Sequence, residues 1–209
     1  MGVLKGSISY AKFYVQGPLP DDFRDSFLQS VSLRAFRPLT VDEDDETRVG
    51  WVPVARPFEP DASLDHDAVF FDSYLNLALR IDQWRFPAPV FKSAFSEAEK
   101  KYLEKRGREK LSRREKEELR VMVSKKLRRQ FSPVMKAIDL SWNLETGVLR
   151  FWNQSTKAHE QLFEIFEKTF PVKLVPASPY TSALEAGLPE PRLEAMMLIE
   201  PAVFHAPHN

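Results

Sequence analysis

The chain contains no cysteine, which excludes disulfides, thiol nucleophiles and Cys-ligated zinc and suits a reducing cytoplasm. Glycine is scarce, with seven in 209 residues. None of the seven builds a phosphate-cradling Gly-rich loop or a Gly-x-Ser-x-Gly elbow. Only four histidines occur, His66, His159, His205 and His208, and no His-Glu-x-x-His helix is among them. No apolar run approaches the roughly 18 residues that a membrane helix needs. The N-terminus has no charged segment leading into an apolar signal core, so the chain is expected neither to span a membrane nor to be secreted. Met1-Gly2 invites myristoylation, but Gly6 stands where that motif wants Ser or Thr, the hydroxyl falling at Ser7. Net charge is missing too, with 30 basic and 30 acidic side chains.

What is present is a core's worth of apolar residues, 43% hydrophobic and 12% aromatic, enough for one sizeable domain or a domain with one long appendage. The charge is unevenly placed. Between Lys100 and Arg129 stand fourteen basic residues against five glutamates, so this segment is +9 and the remainder −9.

Ser7 to Val15 is β-branched and aromatic and predicts a strand, closed by Gly17-Pro18. Asp21 and Asp22 open a helix whose Phe23, Phe27 and Val31 recur every four residues, with Pro38 as its limit. Asp42 to Glu46 predicts a solvated acidic loop, Gly50 to Val54 an extended segment, and Ala68 to Arg85 a hairpin or two adjacent strands. From Pro89 the period becomes helical, with Phe91, Phe95, Ala98 and Tyr102 on one face and Gly107 as the stop. Ser112 and Glu115 form a capping-box pattern opening a second helix with Leu119, Val123 and Leu127 in line, which Pro133 ends. The pair predicts an antiparallel helical hairpin. Val134 to Trp142 and Val148 to Trp152 predict two strands, Ser155 caps a helix, and Val172 to Val175 is a last short strand.

The expected architecture is therefore α+β, a mixed or antiparallel sheet with packed helices and an inserted basic helical-hairpin arm. Its parts are a core of residues 1–88 and 134–176, an arm of 89–133 and a Pro-rich tail of 177–209, in which only Leu193 to Ile199 is expected to be ordered.

On a helical wheel Arg113, Arg114, Lys125, Arg128 and Arg129 fall opposite Leu119, Met122, Val123 and Leu127, so the basic side is expected to face solvent. With Lys110 and Lys126, these cations are the candidate phosphate-binding residues, because a positive potential without nearby acid attracts a polyanion. A solvated helix laced with Glu–Lys pairs is the alternative. Phe131, after the basic run and before Pro133, is the candidate anchor at an interface or a DNA step. The run Asp42 to Glu46 with Asp65, His66 and Asp67 could supply metal ligands for a nuclease, but contiguous acids on one loop rarely converge on one ion. No metal and no cofactor is expected.

Gly50-Trp51-Val52-Pro53, Pro89-Val90-Phe91-Lys92, the Lys/Arg/Glu arm, Arg129-Gln130-Phe131-Ser132, the hairpin from Ala137-Ile138-Asp139 and the segment Val172-Lys173-Leu174-Val175-Pro176 follow one another in an order that resembles the recombination-associated protein RdgC family. The resemblance implies a non-enzymatic bacterial nucleoid protein that forms ring-shaped dimers around duplex DNA with little sequence preference and restrains the RecA recombinase. By position it places Lys110, Arg128 and Arg129 in the family's basic segments and matches Phe131 to an arm-tip phenylalanine. Family members continue into a long C-terminal part where this sequence has only Ala177 to Asn209.

The expectation is thus a non-catalytic, largely sequence-independent binder of double-stranded DNA, a homodimer or higher homo-oligomer in the bacterial nucleoid, with a recombinase as a further partner and no membrane. The alternatives are a protein-assembly module using the helical hairpin, or a metal-dependent nuclease.

Overall fold

The computed structural model describes residues 2–4 and 9–200. Its strands are β1 (Ala11–Gln16), β2 (Thr47–Val52), β3 (Phe70–Phe71), β4 (Tyr74–Gln83), β5 (Val134–Asn143), β6 (Val148–Phe151) and β7 (Lys173–Pro176), and its helices are α1 (Phe23–Leu33), α2 (His66–Val69), α3 (Ala88–Arg106), α4 (Arg113–Arg128), α5 (Thr156–Thr169), α6 (Pro179–Glu185) and α7 (Glu190–Met197). The strands form one curled sheet in the order β2-β4-β5-β6-β1-β7, with β3 on β4, so the fold is α+β. All the strand pairs are antiparallel. The only parallel contact among the described residues is a single bridge between Ala35 and Trp51.

Period-two patterning decides which face packs. Leu75, Leu77 and Leu79 of β4 lie beside Trp142, Leu140 and Ile138 of β5, and all six are buried. They meet Phe27 and Val31 of α1 and Leu162, Ile165 and Phe166 of α5 in one cluster. Trp142 stands at its centre, 5.6 Å from the rings of Phe27, Phe166 and Phe170. The opposite face is polar. There Arg80 and Asp82 form a buried pair at 2.9 and 3.0 Å, with the guanidinium 4.2 Å from the ring centre of Phe36. Gly50 makes this possible, because a Cβ at that position would collide with the Phe36 backbone.

Most elements fall where their start and stop signals put them, with the sheet antiparallel throughout rather than mixed. Several details differ. A short helix, α2, occupies His66–Val69 ahead of the β3–β4 hairpin, and Asp22 precedes α1 without a side-chain cap bond. Helix α1 stops at Leu33, ahead of Pro38, because the chain from Arg34 turns to bond the β2 edge: Phe36 N–H donates to Trp51 O and Trp51 N–H to Arg34 O. Ser155 precedes α5 without a side-chain cap bond; its own N–H is taken by Asn153 Oδ1. The tail carries two helices rather than one ordered stretch. Ser178 and Thr181 build a capping box for α6, and Ser182 accepts from the Tyr14 hydroxyl at 3.1 Å, tying α6 to β1. Ser7, His205 and His208 lie outside the described residues.

Candidate nucleic-acid interface

The hairpin inserted between β4 and β5 is built by its caps. Pro89 stands in the first turn of α3, where its missing N–H costs nothing. Gly107 ends the helix at φ 61°, the left-handed conformation that glycine adopts without strain. Ser112 Oγ then accepts from Glu115 N–H while Glu115 returns a bond to Ser112 N–H, satisfying two orphan donors of α4. Glu115 also accepts from the Tyr102 hydroxyl at 3.2 Å and pairs with Arg106 and Arg108 at 3.5 and 3.6 Å, which fastens the free end. The Ser112 N–H holds its carboxyl below the ordinary glutamate range. At 19 residues, α3 extends about 28 Å.

The two helices pack chiefly on each other. No side chain of α3 is fully buried, and α4 buries Leu119, Val123, Leu127 and Arg128. Outside that stripe the arm is a cationic surface. Among the described residues, Lys110, Arg113, Lys126 and Arg129 are exposed and stand in no ion pair, as do Lys105 and Lys116, although Lys126 lies near enough to Glu97 to help lower its pKa, after Lys101. Arg114 is exposed and pairs with Glu118 at 2.9 Å.

Two candidate residues are placed differently from expectation. Arg128 is 5% exposed and does not face solvent. Its guanidinium donates to the backbone carbonyls of Glu43 and Asp44 and lies 5.6 Å from the centre of Trp84. Lys125 is half-buried and pairs with Asp44 at 2.5 Å. The physical reason for both is the acidic loop, whose carboxylates stay largely in solvent as expected, with Asp44 86% exposed, while its backbone docks on the arm root. Glu43 accepts from Thr40 N–H and Arg48, and Asp45 from Arg48, which folds the loop so that its carbonyls and Asp44 meet the last turn of α4. The carboxyl of Asp44 is held below its ordinary value by Lys125, and that of Glu43 by the Thr40 N–H. Met122 also departs from the wheel, at 54% exposed, beside Val121 at 49%.

Phe131 stands at the root of the arm, where α4 returns to β5, and not at its free end, which is the link from Gly107 to Ser112. The N–H groups of Gln130 and Phe131 both bond to Leu127 O. The half-buried ring meets Phe86 edge-on at 5.8 Å, joining a row in which Trp84, Phe86, Phe91 and Phe95 follow one another at 6.3 to 6.5 Å.

Elsewhere, the acidic and histidine candidates are dispersed. Asp65 caps α2 through Ala68 N–H, His66 lies 3.5 Å from Asp67, and His159 bonds the Asn153 carbonyl at 2.8 Å. Among the described residues no three His, Asp or Glu side chains gather in a way that could hold a metal ion, and no helix is long and apolar enough to cross a membrane. No family model matches the chain. Nor does any curated protein match it in sequence. What sequence reading missed is the part that Glu43 and Asp44, singled out there only as possible metal ligands, play at the arm root, more than eighty positions from Arg128.

Proposed function

We propose that the protein binds double-stranded DNA through the helical arm, without catalysis and with little sequence preference. The observation that carries this reading is the set of exposed arm cations with no carboxylate partner among the described residues, Lys105, Lys110, Arg113, Lys116, Lys126 and Arg129, on a hairpin whose two helices pack chiefly on each other. Free cations on a rigid helix displace the counterions of a phosphate backbone, and a duplex offers phosphates at regular spacing. Cations on long flexible stems contact phosphates and position a duplex, and Gln130 beside Arg129 is the one side-chain amide in the arm sequence. Arg114 adds to the surface because an exposed ion pair is worth little and gives way to phosphate. Arg128 and Lys125 instead serve the arm root. Kinship with the RdgC family, dimerisation, a nucleoid location and action on a RecA-type recombinase belong to the same proposal.

Binding of a labelled 30-base-pair duplex at several salt concentrations tests it. With about 4 to 6 phosphates neutralised, log K should fall against log salt with a slope of about −4 to −5. Arg113→Gln with Arg129→Gln should weaken binding to all sequences alike, and tight binding indifferent to salt and to these changes defeats the proposal. The second reading, an assembly module, is favoured by Val121 and Met122, which stand exposed side by side on α4. Sizing of the free protein and of Met122→Glu separates the two, since DNA affinity of the monomer should survive that change.

A further inference from the structure

Outside the arm the chain is acid-rich, with 23 acidic residues and 15 basic ones. One surface of the core reverses that balance. Between α1, α5 and the outer edge of β2 lies a groove of ≈ 640 Å³ whose walls carry Arg34, Arg37, Arg48 and Lys168 against the single acid Glu164. Thr47 and Gln161 continue it into a second hollow of ≈ 270 Å³ toward the arm root, which carries Arg85, Lys136 and Lys157 and no acid at all.

The pairing within this tract shows which charges are free. Arg48 is held by Glu43 and Asp45, and Lys168 by Glu164 at 2.7 Å. Arg34 and Arg85 bond only neutral acceptors, the Ser30 carbonyl and Gln83 Oε1. Arg37, Lys136 and Lys157 are exposed and have no ion-pair partner among the described residues. Five cations thus line a continuous groove without a carboxylate of their own. Lys157 is moreover in the first turn of α5, a turn without an acidic residue, where the helix dipole disfavours a cation unless an anion is present. Arg85 lies two residues beyond the end of β4 and three before α3 begins, so the tract reaches the base of the arm.

We infer that this groove is a second phosphate-binding tract, and that the DNA backbone which the arm engages continues along the β2 edge over Arg85, Lys136, Lys157 and Arg37. The inference rests on the proposal that the chain binds DNA, and it enlarges the footprint from the arm alone to arm plus core. The free groove cations come from β5, α5 and two connecting segments, the one after α1 and the one after β4, so they converge only in the folded domain.

The test compares two variants of the full chain on the same 30-base-pair duplex. The groove variant carries Arg85→Gln, Lys136→Gln and Lys157→Gln. The arm variant carries Arg113→Gln, Lys116→Gln, Lys126→Gln and Arg129→Gln. The groove variant should bind about tenfold or more weakly and show a salt slope shallower by about 2 to 3, since each lost phosphate contact removes roughly 0.9. Unchanged affinity and slope in the groove variant, with binding lost in the arm variant, overturns this inference and leaves the arm proposal standing. Binding lost in the groove variant and unchanged in the arm variant supports the groove and overturns the arm proposal. A wild-type chain that does not bind the duplex overturns both. Lysine acetylation of the wild-type protein with and without duplex, read by mass spectrometry, guards against a misfolded variant: Lys136 and Lys157 should be protected by DNA, and equal modification in both samples overturns the tract.

Discussion

The sheet core and the arm are held together by opposite means. In the core, aromatic and aliphatic side chains such as Trp51, Phe166 and Leu140 are excluded from water and decide the fold by area. In the arm α3 buries nothing fully, and order comes from caps, one leucine–valine stripe and a root clamped by Arg128 and the acidic loop. A cation can be spent on structure only where its partner is near. Arg128 and Arg129, adjacent in sequence, show the division: one is sealed beneath the loop and the other is left to solvent.

The largest expected effect is in the core. Trp142→Ala removes the ring on which α1 and α5 converge and should lower the unfolding free energy by about 3 to 5 kcal/mol, measured by urea denaturation. An equal loss from any single arm substitution breaks the contrast. Next comes the clamp: Arg128→Ala leaves the Glu43 and Asp44 carbonyls without their donor and should cost about 1 to 3 kcal/mol. Arg129→Ala should stay within about 0.5 kcal/mol of wild type in stability while weakening DNA binding. If the two arginines behave alike in the denaturation curve, the root is not a clamp. Phe131→Ala should fall between them, near 1 to 2 kcal/mol, because the ring is half-buried against Phe86 and a fully buried phenylalanine loses about 3 to 5. This should hold at concentrations where the chain is monomeric, and a loss seen only on self-association would move Phe131 to a subunit interface.

These differences also mark where the sequence was legible. The hairpin could be read because its signals are local: Gly107 supplies a left-handed residue, Ser112 and Glu115 a reciprocal cap, and Leu119, Val123 and Leu127 one stripe. The alternation in β4 and β5 likewise exposes its own burial pattern. What sequence could not reveal is long-range. Nothing near Arg128 announces that residues 43 and 44 will cover it, and a helical wheel counts that position as exposed because it knows only one helix. The cations of the groove stay invisible for the same reason, as Arg37, Arg85, Lys136 and Lys157 belong to different elements. Phe131 was assigned to an arm tip by resemblance, whereas the positions of Gly107 and Pro133 place the free end at the α3–α4 link.

A smaller effect tests the free end alone. Ser112→Ala deletes one half of the capping box and should destabilise α4 by about 1 kcal/mol. Because the free end is remote from the core cluster, the loss should be local. Amide exchange should quicken at Glu115 and Lys116 with the global melting midpoint nearly unchanged. A matching fall in the midpoint means that arm and core unfold as one unit.

The smallest effect concerns acid and the root. Lys125 beside Asp44 holds that carboxyl below its ordinary range, and Thr40 N–H does the same for Glu43. A carboxylate with a depressed folded pKa favours the folded arrangement at any pH above its unfolded value, about 3.9 for Asp and 4.3 for Glu. That contribution is lost as pH falls through the depressed folded values, so neutral conditions leave the clamp closed and acid opens it. The groups facing Asp44 are Lys125 and Arg128, and both lower its pKa, Lys125 the more. Asp139 runs the other way. Burial raises its pKa against the bond from Val3 N–H, so acid relieves rather than removes its contribution. Hydrogen exchange at the last turn of α4 should therefore be slower in the wild type than in Asp44→Asn at neutral pH, after correction for intrinsic rates, and the two should converge in acid once the Asp44 carboxylate is protonated. A difference that persists undiminished in acid assigns the clamp to the Arg128 carbonyl bonds and leaves the Asp44 charge without a part in it.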